Sequence, residues 1–206
     1  MFTLLPIEGA AYVIIDPSTP DLTGRTIEFL GNDAGFTKEH PSIKKAVSWL
    51  KKQQKEDGSW KGRWGISYIY GTWAAVTGMA AVGVSPTDLS IQRAVQWLLN
   101  RQNTDGGWGE SCRSDREERY IPLYESTPSQ TAWALDVLIA VSDEPLSEID
   151  RGIKRLIHLG KRHDWTTEYP TGAGLPGDVY FHYKSYQYIW PLLTLGHYQN
   201  KFILKK

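Results

Sequence analysis

Two stretches of this chain are copies of one another. IKKAVSWLKKQQKEDGSW (Ile43 to Trp60) aligns without a gap on IQRAVQWLLNRQNTDGGW (Ile91 to Trp108), offset by 48 residues throughout. A third, weaker copy, IDRGIKRLIHLG (Ile149 to Gly160), keeps the Arg151 and Leu156 positions and lacks the Gln and the Trp. A repeat of this length marks one supersecondary unit stacked on itself, because one unit cannot bury its apolar face alone. Each copy opens with apolar residues at i, i+3, i+4 and i+7 (Ile43, Ala46, Val47 and Leu50 in the first), the spacing of an amphipathic helix. Asp-Gly then supplies the helix stop and the turn. Around the copies lie Leu22 to Leu30, Thr72 to Val82, Thr127 to Val141 and Tyr180 to Tyr198, apolar nearly all round, as buried helices are. The pattern predicts an all-α fold of helical hairpins in two concentric layers, an apolar inner one and a half-solvated outer one. The seven helices it supplies are too few to close a ring.

Composition narrows the function. Among 206 residues, 23 Lys and Arg balance 23 Asp and Glu, so the basic excess that neutralises phosphates is missing and a nucleic-acid partner is excluded. The longest nearly apolar run, Thr72 to Val84, falls short of the ~20 residues that span a bilayer. No basic-plus-apolar signal pattern opens the chain, which points to a cytoplasmic protein. Cys112 is alone, so it makes neither an internal disulfide nor a paired-thiol metal site, and the five His show no ligand spacing. The charged run Arg113 to Arg119 reads as a solvated loop insertion that breaks the repeat period. What remains is the aromatic load of 9 Trp, 11 Tyr and 5 Phe, enough to build a core or to line a pocket for a large apolar molecule. Helical spacing assigns Trp49, Trp73, Trp97 and Trp133 to the core.

The repeated segment Gln54-Lys-Glu-Asp57-Gly58-Ser-Trp60 and Gln102-Asn-Thr-Asp105-Gly106-Gly-Trp108 resembles the QW repeat of the class II triterpene cyclases. Four further stretches follow in order: DPSTPDLTGR (Asp16 to Arg25), GRWGISYIYGTW (Gly62 to Trp73), STPSQTAWAL (Ser126 to Leu135) and TGAGLPGDVYFHYKSYQYIWPLLTLGHY (Thr171 to Tyr198). They are similar to the C-terminal third of squalene–hopene cyclases. Within that family DLTGR and GFTKEHPSI are similar to the Bacillus-type tetraprenyl-β-curcumene cyclases, or sporulenol synthases. The resemblance implies part of an (α/α)6 double barrel (the terpenoid cyclase toroid) extending over residues 1–206. It also implies no metal, no cofactor, and a cyclisation started by protonating an isoprenoid such as squalene or tetraprenyl-β-curcumene.

It further implies roles for individual residues. Trp64 and Tyr70 match pocket aromatics, and Tyr183 and Tyr186 match two tyrosines near the first-cyclised rings. Leu175 and Val179 stand where squalene–hopene cyclases usually carry Phe, which enlarges the pocket; Phe181 stands at a smaller aliphatic position and partly reverses that. Asp21 and Arg25, one turn apart, match a site that supports the catalytic acid, although the spacing alone fits an ordinary i,i+4 ion pair. Gln54, Trp60, Gln102 and Trp108 are structural, each Gln capping a helix end while its amide stacks on a Trp. The family's acid lies in a D-x-D-D motif further upstream, and none occurs here. The chain is therefore expected to be the C-terminal portion of a catalytic domain, inert alone and needing the N-terminal part. A non-catalytic helical-repeat fragment is the other reading. Peripheral membrane association belongs to the full-length enzyme, and an unfinished ring should expose apolar inner faces.

Overall fold

The computed structural model describes residues 17–175 and 179–204. Seven helices carry the architecture: α1 (Pro20–Asn32), α2 (Pro41–Gln53), α3 (Ser67–Ala81), α4 (Leu89–Leu99), α6 (Pro128–Val141), α7 (Ser147–Leu159) and α9 (Tyr186–Tyr198). Two single-turn helices, α5 (Arg113–Arg116) and α8 (Trp165–Glu168), sit in loops, and α9 runs on into a π-helical turn over Gln199–Ile203. Starts are written locally. Proline occupies the first turn of α1, α2 and α6, where its missing N–H costs nothing, and Asp88 and Thr127 cap α4 and α6 through their side-chain oxygens.

Helices α1, α3, α6 and α9 lie side by side as the inner layer, and α2, α4 and α7 pack outside them. This is the alternation expected from the repeat. The centre of the core is α3 and α6, buried over almost their whole surfaces. Helices α1 and α9 depart from the all-round burial expected of them. Each has an inner neighbour on one side only, so Phe29 is 61% exposed and Leu192 69%. A second correction concerns the last inner segment: its helix starts at Tyr186. Val179–Phe181 (β2) pairs antiparallel with Gly172–Leu175 (β1). The charged run is also not wholly solvated, because α5 buries Ser114 and Asp115, and Lys61 pairs with Asp115 at 3.4 Å.

The repeat is a tether between layers. The Trp60 indole N–H donates to the Leu50 carbonyl at 2.7 Å and that of Trp108 to Leu98 at 2.9 Å, capping the last turns of α2 and α4. Their backbone N–H groups donate to Thr72 and Thr131 of the inner helices, both at 3.0 Å. Gln54 donates to the carbonyls of Gly58 and Ser90, and Gln102 to those of Gly106 and Glu148, linking each turn to the next outer helix. Gln54 is the C-cap residue of α2, as expected, while the side-chain bond to the last-turn carbonyl comes from the Trp indole. The turns need glycine: φ is +97° at Gly58 and +92° at Gly106. Among the described residues no helix is long and apolar enough to cross a membrane.

Candidate functional site

At the N-terminal ends of the inner helices two loops are stitched together. Ile66 N–H donates to Thr171 at 2.9 Å and Ala173 N–H to the Trp64 carbonyl at 3.0 Å, and Gly65 bridges Gly172. This brings the GRWGISYIYG segment against the β1–β2 hairpin, joining two stretches about a hundred residues apart. Asp21, fully buried at the start of α1, secures the first loop. Its Oδ2 accepts the N–H groups of Arg63 and Trp64 at 3.1 and 2.9 Å. The i,i+4 ion pair with Arg25 does not form. Arg25 instead turns to Glu28, with Nη1 2.5 Å from Oε2. Both amides fall on Oδ2, and Asp21 Oδ1 is buried without a hydrogen-bond partner among the described residues.

Below these loops the aromatic side chains form a continuous wall. Ring centroids run Phe181 to Tyr183 at 6.1 Å, Tyr183 to Tyr186 at 4.8 Å, Tyr186 to Trp190 at 5.4 Å and Tyr186 to Trp133 at 6.2 Å. The wall continues from Trp133 to Tyr70 at 4.9 Å and to Trp73 at 5.8 Å. Tyr70 is held beneath Gly65, where an added Cβ would lie 2.4 Å from the ring. Burial first, and then the Asp21 charge, push the Tyr70 phenol well above its ordinary range; burial and Tyr183 raise that of Tyr186. Both are neutral phenols at any physiological pH. The hairpin end is open, with Val179 37%, Phe181 44% and Tyr183 42% exposed. Leu175 closes the strand register opposite Val179.

The sequence-expected residues Tyr70, Phe181, Tyr183 and Tyr186 thus share one wall, and Trp64 lies in the loop stitched to it. Trp73 and Trp133 are buried as expected of core residues, yet they are part of the same aromatic system. Sequence reasoning missed Trp190, Glu28, Asp136 and Glu110. Glu110 is fully buried, with its carboxylate accepting the N–H groups of Ser67, Tyr68 and Ile69 at 2.9–3.0 Å, which fixes the start of α3 three residues before Tyr70. Cys112 is half-buried, its thiol pushed up by burial and its Sγ 3.3 Å from the Pro170 carbonyl, an arrangement that suits packing and not nucleophilic attack. Among the described residues no group of three or more His, Cys, Asp and Glu is placed to hold a metal ion.

Two layers of helices, inner and outer, with an aromatic wall at one end are the arrangement of the helical toroid of the terpene cyclases. The fold matches ent-copalyl diphosphate synthase from Streptomyces platensis with a TM-score of 0.65 at 21% identity, over 89% of this chain and 34% of that one. Residues 2–200 match the squalene-hopene cyclase C-terminal domain, and the chain belongs to that family. It is 50% identical over 198 residues to the sporulenol synthase of Bacillus subtilis, covering 96% of this chain and 31% of that protein. Against the squalene–hopene cyclase of Alicyclobacillus acidocaldarius identity is 47% over 189 residues, covering 91% of this chain and 30% of the relative. The chain therefore spans under a third of the length of these two curated relatives.

Proposed function

We propose that this chain is the C-terminal part of a class II triterpene cyclase and supplies one wall of its carbocation pocket. The observation that carries the reading is the unbroken aromatic surface from Phe181 through Tyr183, Tyr186 and Trp133 to Tyr70, built by residues on three chain segments that include three inner helices. A protonated isoprenoid closes its rings through a succession of cations, and each needs stabilisation without a nucleophile. Aromatic faces attract a cation by about 0.5–2 kcal/mol per ring when desolvated, and neutral phenols do so without being alkylated as phenolates would be. The apolar flanks of the wall exclude the water that would quench a cation early. Sequence identity to the sporulenol and squalene–hopene enzymes supports squalene or tetraprenyl-β-curcumene as the substrate class. Substrates this apolar reside in membranes, so the assembled enzyme would work as a peripheral protein on the cytoplasmic membrane.

In this reading the protonating acid comes from the D-x-D-D-bearing part, and Arg25 holds its carboxylates. A guanidinium is always charged and presents a fixed fork of donors. Asp21 orders the Arg63–Trp64 loop from below, the loop that lies against this acid site. Alone, the chain is a scaffold without an acid.

The test is a segment exchange. This chain replaces the matching C-terminal third of the Bacillus subtilis sporulenol synthase, and products are read by gas chromatography–mass spectrometry. The chimera is expected to make a polycyclic triterpenoid, while the isolated chain makes none from either substrate. A folded chimera without product would refute the cyclase reading. Product from the isolated chain would refute the division of labour.

A further inference from the structure

One polar network runs through the inner layer and draws on all four inner helices. From α1, Arg25 places its guanidinium carbon 4.5 Å from the centroid of Trp73 and 5.8 Å from that of Trp190. Glu28, one turn on, takes Arg25 Nη1 at 2.5 Å and the Thr77 hydroxyl at 2.8 Å on the same Oε2. From α3, the Trp73 indole N–H donates to Asp136 Oδ2 on α6 at 2.9 Å. From α9, His197 Nδ1 lies 2.6 Å from the other oxygen, Asp136 Oδ1. Trp73 differs in this from its neighbours: the indole N–H groups of Trp133 and Trp190 are buried without an acceptor among the described residues. The ring on which the guanidinium rests is the one that is pinned.

These pairs are part-exposed, Arg25 at 36% and His197 at 45% of the side chain; they contribute little net stability, because solvent screens the attraction and desolvation of the buried carboxylates offsets the rest. Two acids, a guanidinium and a histidine at the edge of an apolar wall therefore call for a role other than holding the helices together. Resting on the reading of Arg25 given above, we propose that Glu28, Asp136 and His197 are positioning residues for Arg25. Glu28 acts on it directly, and Asp136 and His197 act through the Trp73 ring. Glu28 also compensates a cation that would otherwise repel the substrate's own positive charge.

The relay has a pH dependence with a definite sign. Its groups are Asp136 from α6, Glu28 from α1, and His197 with Lys201 from the last helix and its π turn, where Lys201 Nζ is held by the Ile139 and Ala140 carbonyls. The hydrogen bond to Asp136 is the first cause that holds His197 above its ordinary value of 6.5, with Glu28 adding to it. The charged pair is complete below 6.5 and is lost as pH rises through the raised value. Half of the His197 side chain is exposed, so solvent protons reach it.

The test is nuclear magnetic resonance of the full chain, following the indole signal of Trp73 (identified by its loss in W73F) and the Nε signal of Arg25. In the native chain the Trp73 signal is expected to move with pH with a midpoint above 6.5. In H197Q that movement should vanish while the indole bond persists. D136A should release both signals, D136N should restore the indole bond without the pH dependence, and E28Q should speed exchange at Arg25 Nε. Trp73 and Arg25 signals unchanged in H197Q, D136A and E28Q would overturn the relay. In the chimeric cyclase, E28Q and D136A should lower kcat on the order of tenfold or more, the scale of a misplaced reacting group, with KM little changed. Signals that respond while kcat stays level would leave the relay standing and refute the role of Arg25 in the acid site.

Discussion

Glu110 shows how much one side chain can settle. Its carboxylate has no contact with solvent, and it survives there because three consecutive N–H groups at the start of α3 converge on it, where the helix dipole also favours negative charge. Gln130 completes the site by accepting the Glu110 N–H at 2.9 Å and donating to its carbonyl at 3.0 Å. Burial nevertheless outweighs these bonds and pushes the carboxyl up to about 7. A folded value above the unfolded 4.5 means that the unfolded chain binds fewer protons in between. This group therefore favours the fold at low pH, and its contribution declines as pH rises from 4.5 through 7. Urea midpoints of the native chain should carry that downward component and those of E110Q should lack it. E110A should cost about 2 kcal/mol or more, the sum expected for a lost helix cap and charged hydrogen bonds. The repeat could have drawn attention to this residue: two positions after the repeated Trp, the first copy has Gly62 and the second has Glu110.

At the scale of elements, the tightest contact is between α1 and α3. A Cβ on Gly24 would lie 2.1 Å from the Ala74 carbonyl oxygen, and one on Gly78 would lie 2.3 Å from that of Gly24, so the two backbones touch. G24A should force the helices apart at a cost on the order of 1–3 kcal/mol, read as a lower urea midpoint. G196A in α9, where an added methyl meets nothing within 4 Å, should instead stabilise by about 0.5–1 kcal/mol. The order of layers was legible because a helix advertises its buried face locally, and the repeat gave the register of the three outer helices. Two things escaped because their causes are distant in sequence. Val179–Phe181 becomes a strand through its pairing with Gly172–Leu175 and the hairpin's attachment to the 64–66 loop, which no helical periodicity announces. Asp21 sits at i,i+4 from Arg25, yet its partners are amides more than forty residues away. The aromatic site residues were legible through motif resemblance. The charged relay beneath them was not, since Glu28, Asp136 and His197 lie far apart in the chain and each reads singly as an ordinary helix residue.

The molecule as a whole is an arc. Its middle helices are saturated with neighbours, while its two end helices, α1 and α9, turn Phe29, Ile189 and Leu192 outward, as an unfinished ring would. The sequence carries no D-x-D-D motif. On the proposed reading, function belongs to the assembled pocket, to which this chain brings the aromatic wall. The most direct measurement of that contribution is the product distribution of the chimeric cyclase with Tyr70, Tyr183 or Tyr186 replaced by Leu, which keeps the bulk and removes the π-face. Losing one ring should slow full cyclisation roughly two- to thirtyfold, as ~0.5–2 kcal/mol of cation stabilisation implies, and divert flux into products with fewer rings, with Phe at the same position restoring the native pattern. An unchanged yield of fully cyclised product in all three Leu variants would contradict the account.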